Sequence, residues 1–322
     1  MKICVTGASG YVAGHIIQQL LQRDHSVLGL VRDLSNKAKY DYLFQHVKEG
    51  GATLEFAEAK SEQDYDQVFQ GANIDVVIHT ATPYFYTAHD PQKEIVKPAI
   101  ALVKGVIESA IKHKVKRVVF TSSCGTILNF PIPANSVVTC QDWNTTSTLT
   151  NNPYFYSKVL AEKTAWNLFK EHQDMFELVV VNPSYVLGPL PSSFLNTSMT
   201  NFKRYLLGEN EQIQTLTLGV VDVRDVAWGH VIAAESEHAV GKRLICNGTV
   251  TSFAELVHLI QKKFPQYGVS KYKVDELQAH SNKFRIDTQP LAELGLKQYR
   301  SLEQTIEEGV QSLFDFGLVE KL

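Results

Sequence analysis

Short apolar, β-branched runs recur along the first half of the chain, and amphipathic stretches separate them. The runs occupy residues 3–6, 27–31, 54–56, 76–79, 118–121 and 178–181, and their continuous apolar character is typical of strands buried on both faces. Between them, residues 13–23, 64–70, 95–112 and 154–171 carry apolar side chains at spacings of three and four, which predicts helices with one covered face. Because right-handed crossovers place helices on both sides of such a sheet, the alternation predicts an α/β fold with a doubly wound parallel sheet of the Rossmann type.

The alternation of predicted strands and helices becomes less regular after Pro183, where two further prolines and a Ser/Asn/Thr-rich segment at 192–201 precede shorter elements. Helices are still predicted at 226–234 and at 253–264. We therefore expect a sheet domain at 1–182 with a returning segment near 216–245, and a smaller C-terminal lobe over most of 183–322.

Composition excludes several classes of protein. Hydrophobic residues make up 44% and charged residues 20% of the 322 positions, so a mainly disordered chain is excluded. The formal charge of -3 gives no general attraction to nucleic acid or to anionic lipid. We expect neither of them as a partner. We expect the protein to be a monomer or a homodimer.

The cysteines and the N-terminal segment bear on location. Cys4, Cys124, Cys140 and Cys246 form no CxxC pair, which argues against a disulfide framework or a metal site and fits a reducing compartment. The first apolar run reaches a glycine at position 7, too soon for a signal-peptide core or a membrane span. We expect a cytoplasmic protein.

A glycine-rich turn follows the first predicted strand, and a predicted helix begins directly after it. The segment reads Thr6-Gly7-Ala8-Ser9-Gly10-Tyr11-Val12-Ala13. Dinucleotide sites use one glycine for the tight turn, a second so that the backbone can approach the pyrophosphate, and a small third residue where helix meets strand. The pyrophosphate then meets free N–H groups and the positive dipole end of the helix. An ordinary strand-to-helix turn is the alternative, and the position after the first strand favours the dinucleotide site.

Two charges of opposite sign, Arg32 and Asp33, end the second predicted strand. In dinucleotide-binding folds this position reads the adenine ribose, since an acidic side chain binds the 2′-hydroxyl of NAD and an arginine pairs with the 2′-phosphate of NADP. If Arg32 faces the pocket, Lys37 can add a second cation and NADP is bound; if Asp33 faces it, NAD is bound. We favour NADP, against the alternative that Arg32 is only a solvated charge.

Tyr154 and Lys158 lie four residues apart at the start of a predicted helix and therefore on one face. A phenol has a pKa of about 10, and an adjacent ammonium lowers that pKa toward neutrality, where Tyr154 could exchange protons. Chance pairs with this spacing are common. Thr121-Ser122-Ser123 at the end of the fifth strand changes the balance, because α/β proteins bind ligands at that edge. A Ser123 hydroxyl there can donate a hydrogen bond to a carbonyl gaining negative charge during hydride attack, although a serine at a strand end is often a turn former.

Several segments together resemble the extended short-chain dehydrogenases/reductases. They are the glycine turn, the Tyr154/Lys158 pair, Asn182-Pro183-Ser184-Tyr185-Val186-Leu187-Gly188-Pro189 and Asp222-Val223-Arg224-Asp225-Val226-Ala227. Three more segments are similar to dihydroflavonol and cinnamoyl-CoA reductases, and closer still to yeast NADPH-dependent methylglyoxal/3-methylbutanal reductases. These are Val119-Phe120-Thr121-Ser122-Ser123, His79-Thr80-Ala81-Thr82-Pro83 and Leu195-Asn196-Thr197-Ser198. The resemblance runs nearly end to end.

The resemblance implies roles for individual residues. Tyr154 would be the proton donor, Lys158 would hold the nicotinamide ribose and Ser123 would bind the carbonyl. The further cofactor contacts that it implies are Arg32 and Lys37 at the 2′-phosphate, Thr80 and Ala81 beside the ribose, and Pro183 and Val186 near the carboxamide. The loops would bring a set of mostly apolar side chains to the nicotinamide end, each of them equally able to be a core contact: Phe85, Tyr86, Leu128, Phe130, Tyr185 and Asn196.

One single residue and one pair of residues depart from the family pattern. Glu58 stands where the family usually has an aspartate that accepts from the adenine amino group, which puts that contact in doubt. Cys124-Gly125 replaces a bulkier or alanine-containing pair after the serine, which should change the shape of the pocket.

Together these features predict an enzyme that reduces aldehydes, ketones or diketones with NADPH. Two alternatives remain at this point. A nucleotide-sugar epimerase or dehydratase would use the same tyrosine and lysine but return the hydride to its substrate, and a redox-sensing regulator would bind NADP without chemistry.

Overall fold

The computed structural model of the protein describes residues 1–82, 88–214, 216–274 and 283–322. In chain order the described strands are β1 (Lys2–Thr6), β2 (Ser26–Val31), β3 (Leu54–Glu58), β4 (Val76–His79), β5 (Arg117–Thr121), β6 (Val137–Val138), β7 (Glu177–Pro183), β8 (Tyr185–Leu187), β9 (Thr217–Asp222), β10 (Arg243–Cys246), β11 (Thr249–Ser252) and β12 (Arg285–Ile286). The described α-helices are α1 (Tyr11–Gln22), α2 (Asp64–Phe69), α3 (Lys97–Lys112), α4 (Pro153–Glu171), α5 (Thr197–Leu206), α6 (Val223–Glu235), α7 (Phe253–Lys263), α8 (Gln289–Glu293) and α9 (Leu302–Asp315).

Seven parallel strands form the main sheet, in the order β10-β7-β5-β4-β1-β2-β3. The chain starts in the middle, since β1 pairs with β2 on one side and with β4 on the other. All six strands predicted from apolar runs are present, and β10 adds a seventh at the edge beside β7. The predicted doubly wound α/β fold is confirmed.

Successive side chains of a strand pack alternately into two separate hydrophobic cores, one on each face of the sheet. Ile3 and Val5 of β1 face one side, where they join a buried cluster with residues of α1 and α6. Cys4 between them points to the other side, into a cluster covered by α3 and α4. Because successive side chains point to opposite faces and both faces are covered, the strand is apolar at successive positions and not only at every second one.

The C-terminal half supplies a smaller second unit of structure. Its sheet has the order β11-β9-β8, and α5, α7 and α9 pack around it with an apolar core of their own. Ser252 starts α7 with a capping box, in which its hydroxyl accepts from the Glu255 N–H and the Glu255 carboxylate accepts from the Ser252 N–H. This half of the chain also contacts the first half, because β10 joins the main sheet and α6 packs against α1. The domain limits given above remain predictions.

No helix within the described ranges is both long and apolar enough to cross a membrane.

Candidate active site

The glycine turn lies between β1 and α1 and leaves the helix N-terminus uncovered. Gly7 has a φ of +66°, a conformation that residues with a Cβ rarely adopt. A Cβ there would also lie 3.1 Å from the Thr80 hydroxyl and 3.2 Å from the Ala81 backbone. No side chain caps α1 at Gly10, and its first turn holds no acidic residue. The turn and the open helix end therefore fit a pyrophosphate.

The other predicted residues of this turn divide between the site and the core. Ser9 is half-buried and Val12 is partly buried, whereas Ala13 is buried in the core beside the sheet. The side chain of Tyr11 points inward and donates to the Gly188 carbonyl at 3.0 Å. Only the backbone of Tyr11 is thus available to an anion at the helix end.

Thr80 and Ala81 follow β4 and are fastened to β1. The Thr80 hydroxyl donates to the Thr6 carbonyl at 2.6 Å, and the Ala81 N–H donates to the Thr6 hydroxyl at 3.2 Å. His79 Nδ1 lies 2.8 Å from that same hydroxyl. Burial lowers the pKa of His79 to about 3, with a smaller contribution from Lys158, so its ring is neutral and Nδ1 can accept the Thr6 proton. These contacts hold the 80–81 segment against the glycine turn.

The structure separates the two charges at the end of β2. Asp33 turns back to its own loop, where its carboxylate accepts from the Ser35 N–H at 2.9 Å and from the Ser35 hydroxyl at 2.6 Å. Those hydrogen bonds lower the pKa of Asp33. Arg32 and Lys37 are both exposed, and within the described ranges neither side chain is in an ion pair. This arrangement leaves the cations, and not the carboxylate, available to a ligand.

Glu58 ends β3 and contacts the loop after β2. Its carboxylate pairs with Lys60 at 2.7 Å and accepts from the Leu34 N–H at 3.2 Å. Both contacts lower the pKa of Glu58, the one with Lys60 most. An adenine amino group would have to share a carboxylate that already holds this loop, so the adenine contact stays a prediction.

Tyr154 and Lys158 lie in the first two turns of α4, which Asn152 caps by accepting from the Phe155 N–H. Lys158 is 2% exposed, and its ammonium donates to the Thr121 carbonyl at the end of β5 at 3.2 Å. Burial lowers the pKa of Lys158 to about 8, and the charge of Glu162 opposes that shift. The lysine is therefore an ammonium at neutral pH, held one helical turn from the phenol.

Thr121 is itself held from the opposite face of the sheet. His230 of α6 has Nδ1 2.8 Å from the Val226 carbonyl, so Nδ1 carries the proton and Nε2 accepts from the Thr121 hydroxyl, also at 2.8 Å. Burial lowers the pKa of His230 to about 4, which keeps this ring neutral. The residue that anchors Lys158 is thus fixed on both sides.

Ser123 follows Thr121 by two residues and starts a short 3₁₀ turn. Its hydroxyl oxygen accepts from the Gly125 N–H at 3.0 Å, which leaves the hydroxyl proton free to be donated. A carbonyl oxygen that gains negative charge is a suitable acceptor for it. Ser123, Tyr154 and Lys158 thus come from two elements that meet at the carboxyl edge of the sheet.

A buried polar cluster behind this edge was missed in the sequence. It centres on Glu162, which is fully buried and forms an ion pair with Arg243 of β10 at 2.6 Å. Nothing in the spacing of two residues 81 positions apart could have indicated this pair. Its one visible signal was a carboxylate four residues after Lys158, on the same helix face.

The predicted substrate residues have different surroundings. Leu128 is buried in an apolar cluster with Phe284 and Ile245, and Phe130 packs at its edge. Tyr185 donates to the Ser198 carbonyl at 3.1 Å, and Asn196 caps α5 by accepting from the Met199 N–H. Phe85 and Tyr86 lie outside the described residues. All six assignments stay predictions.

Phe155, which the sequence analysis did not single out, packs between Phe130, a predicted substrate residue, and the candidate acid Tyr154. Its ring stacks on that of Phe130 at 5.7 Å and lies 5.8 Å from that of Tyr154. A Cβ on Gly125 would collide with this ring. The glycine that departs from the family pattern is therefore what allows Phe155 to lie here.

Comparisons with known proteins identify the family. Residues 3–247 match the profile of the NAD dependent epimerase/dehydratase family. The chain belongs to this family. The predicted resemblance to extended short-chain dehydrogenases/reductases is thereby confirmed.

Individual members are similar over almost the whole chain. Cinnamoyl-CoA reductase 2 of Arabidopsis thaliana is 36% identical over 98% of this chain and 93% of its own length. Among solved structures, Gre2 of Candida albicans in complex with NADPH is 30% identical, with a TM-score of 0.87, covering 98% of this chain and 99% of that one. The yeast methylglyoxal/isovaleraldehyde reductase Gre2 complexed with NADPH is 28% identical, with a TM-score of 0.86 and the same coverage.

Proposed function

We propose that this member of the family is an NADPH-dependent reductase of aldehydes, ketones or diketones. The observation that carries the proposal is the contact between the Lys158 ammonium and the Thr121 carbonyl. It joins the tyrosine–lysine helix to the strand end that bears Ser123, on the same sheet edge as the glycine turn. Cinnamoyl-CoA reductase 2 and the yeast Gre2 are reductases by name, and both Gre2 structures were solved with NADPH.

Each side chain has a distinct task in this proposal. The hydride comes from the nicotinamide of the bound cofactor. Ser123 would donate a hydrogen bond to the carbonyl oxygen, keeping its own proton, and stabilise the charge that develops there. Tyr154 transfers a proton to that oxygen as general acid. Lys158, as a buried ammonium, favours the phenolate that Tyr154 leaves behind.

The preference for NADPH follows from the end of β2. The Asp33 carboxylate is occupied by Ser35, so it is a poor partner for a ribose 2′-hydroxyl. Arg32 and Lys37 remain as exposed cations near the same loop. A 2′-phosphate would gain charge-assisted hydrogen bonds from them that NADH cannot make.

The experiment for the chemistry is a substrate panel followed by NADPH absorbance, with chiral analysis of the alcohols. Methylglyoxal, isovaleraldehyde and cinnamoyl-CoA cover the substrates in the relatives' names, and a diketone is added for the proposed substrate class. Tyr154→Phe should lower kcat by about 10²–10⁴-fold, the usual contribution of a positioned general acid, and leave the Kd for NADPH within about twofold. Tyr156→Phe, two residues along the same helix, is the matched control. Full activity of Tyr154→Phe would remove the proposed acid.

The cofactor preference is tested separately. Arg32→Ala should weaken NADPH binding by about 10–100-fold, the equivalent of one hydrogen bond between charged groups, and leave NADH binding unchanged. Lys48→Ala removes an exposed cation elsewhere and serves as control. An unaltered ratio of the two affinities would exclude Arg32 from the 2′-phosphate site.

The epimerase or dehydratase alternative makes a different prediction about the cofactor. Such an enzyme returns the hydride to its substrate, whereas a reductase releases one NADP⁺ for each alcohol formed. Counting NADP⁺ against product over many turnovers distinguishes them. Binding of NADPH without any turnover across the panel would instead favour the sensing regulator.

A further inference from the structure

Glu162 is a fully buried carboxylate in the middle of α4, and every contact it makes ties that helix to another element or to its own next turn. Its Oε2 lies 2.5 Å from the Ser122 hydroxyl, 2.7 Å from the Thr126 hydroxyl and 2.9 Å from the Asn182 amide nitrogen. Its Oε1 accepts from Arg243 at 2.6 Å and from Trp166 at 3.2 Å. A charged group can stay in a protein interior when hydrogen bonds and an ion pair offset its loss of hydration in this way.

Arg243 completes the cluster from the edge of the sheet. Its guanidinium donates to the carbonyls of Cys140 and Asp142 at 2.8 and 2.6 Å, and to the Thr126 hydroxyl at 3.1 Å. It also stacks on the Trp143 ring, 4.1 Å from the centroid. The planar fork of an arginine can serve all these partners at once, which a lysine cannot.

This cluster lies directly behind the candidate catalytic groups. Ser122, which contacts Glu162, precedes Ser123 in the chain, and Thr126 donates to the Ser123 carbonyl at 2.8 Å. Asn182 also reaches the Ser123 carbonyl, at 3.3 Å. Glu162 itself lies one helical turn after Lys158 on the same face of α4. The carboxylate of Glu162 therefore fixes the position of α4 relative to the end of β5.

Among the residues that the structure describes, few charges besides this pair surround Lys158. The described groups that face it or its neighbours are Tyr154 and Glu162 on α4, neutral His79 on β4, uncharged Thr121 at the end of β5 with Ser122 directly after it, Asn182 on β7, neutral His230 on α6, the buried Cys124 thiol and Arg243 on β10. In this low-dielectric setting, adding or removing one charge alters the titration of its neighbours strongly.

We propose that Glu162 and Arg243 are positioning residues for the Ser123–Tyr154–Lys158 site, and that their opposite charges set the pH range over which that site works. The inference rests on the proposed function for its kinetic test. The ion pair is close to neutral as a unit, so the charge of Lys158 acts mainly on Tyr154. Removing either member leaves one buried charge that acts on both groups.

The two single variants have opposite expected effects. Glu162→Gln removes a negative charge and leaves Arg243 unbalanced, which disfavours protons on both Tyr154 and Lys158. The acid limb of kcat/KM for alcohol oxidation with NADP⁺, which follows formation of the phenolate, should move down by about one pH unit. Arg243→Gln leaves the carboxylate unbalanced, and the same limb should move up by a similar amount.

Three control variants separate charge from packing. Trp166→Phe removes a neutral donor from Glu162 and should lower stability without moving the pH profile. Arg243→Lys keeps the charge but not the fork, so it should lower kcat while holding the profile near that of the wild type. The double variant Glu162→Gln/Arg243→Gln has lost both charges and should also titrate near the wild type.

A second readout does not depend on activity. In protein labelled with ¹³C at the tyrosine Cζ, the Tyr154 resonance is identified by its loss in Tyr154→Phe, and its titration should move down in Glu162→Gln and up in Arg243→Gln. Shifts of the same sign, or loss of rate without any shift, would overturn the proposal and leave the pair as a structural anchor only. If one single variant does not fold, the sign of the other decides. Since the resonance titrates without turnover, an inactive wild type would reject the proposed function and still leave this inference open to its own test.

Discussion

Gly125→Ala is the substitution for which the structure gives the most specific expectation. The added Cβ would lie 2.6 Å from Cε1 and 2.8 Å from Cγ of Phe155, with Cδ1 closer still. Carbon atoms in contact are normally about 3.5–4.0 Å apart, so the ring must move by about 1 Å. It cannot move freely, because its other neighbours include the rings of Phe130 and Tyr154.

The expected cost has two parts. Forcing one methyl group into a packed site typically destabilises a protein by about 1–3 kcal/mol. Tyr154 precedes Phe155 in the first turn of α4, so a displaced ring also moves the proposed acid. A misplacement of about 1 Å at a reacting group can lower the rate about 10²-fold.

The measurement compares kcat, the Kd for NADPH and urea unfolding in four proteins. Gly309→Ala is the matched control, since Gly309 is buried in α9 and its added Cβ would have ordinary contacts of 3.4 Å or more. Gly125→Ala/Phe155→Leu is the rescue, because the smaller side chain makes room for the methyl group. A Gly125→Ala enzyme with wild-type kcat and stability would refute the reasoning, and so would a double variant no better than the single one.

Two further predictions concern stability. The pKa of His15 is lowered to about 4 by burial, against about 6.5 in an unfolded chain, so below pH 6.5 the unfolded state binds a proton that the native state does not. His15→Gln, which can still donate to the Pro189 carbonyl, should therefore reduce the loss of unfolding free energy between pH 6.5 and 4 by about 1.4 kcal/mol per pH unit; parallel curves for both proteins in urea titrations would contradict this. Arg117 is buried and donates to the carbonyls of Ala233, Ala234 and Ser236 at the end of α6 while pairing with half-buried Glu177. Arg117→Met should cost about 2–4 kcal/mol in urea unfolding, whereas Arg23→Met, at a more exposed ion pair with Glu235, should cost under about 1 kcal/mol; equal losses would show that burial is not what matters.

The sheet could be predicted from the sequence because its strands are buried on both faces and therefore leave continuous apolar runs. The runs at 3–6 and 76–79 lie within β1 and β4 with little error at their ends. By contrast, β10 escaped prediction because its apolar part, which follows a buried arginine, is only the three residues from Leu244 to Cys246. The burial of Arg243 is explained by contacts distant in sequence, with the Glu162 carboxylate and with the carbonyls of Cys140 and Asp142.

The candidate site divides in the same way. The spacing of Tyr154 and Lys158 indicated a functional pair only together with Ser123 at the end of the fifth predicted strand, because pairs with that spacing are common by chance. The sequence favoured Arg32 over Asp33, but it did not reveal the loop in which Ser35 donates two hydrogen bonds to the Asp33 carboxylate. Phe155 was missed for another reason: its significance comes from a missing side chain at Gly125, and an absent Cβ leaves no pattern along the chain.

Lys158 illustrates why the residues beyond the site matter to its chemistry. An ammonium favours a nearby phenolate only as far as its charge is not already balanced by a closer anion. Its hydrogen bond is to a backbone carbonyl, that of Thr121, which orients the ammonium without neutralising it. The nearest carboxylate along α4, that of Glu162, is bound to Arg243 and to neutral donors. On the proposal above, loss of Arg243 would leave the Glu162 charge free to stabilise the Lys158 ammonium and to disfavour the phenolate, so a residue at the far edge of the sheet would help a tyrosine and a lysine one turn apart to act as a pair.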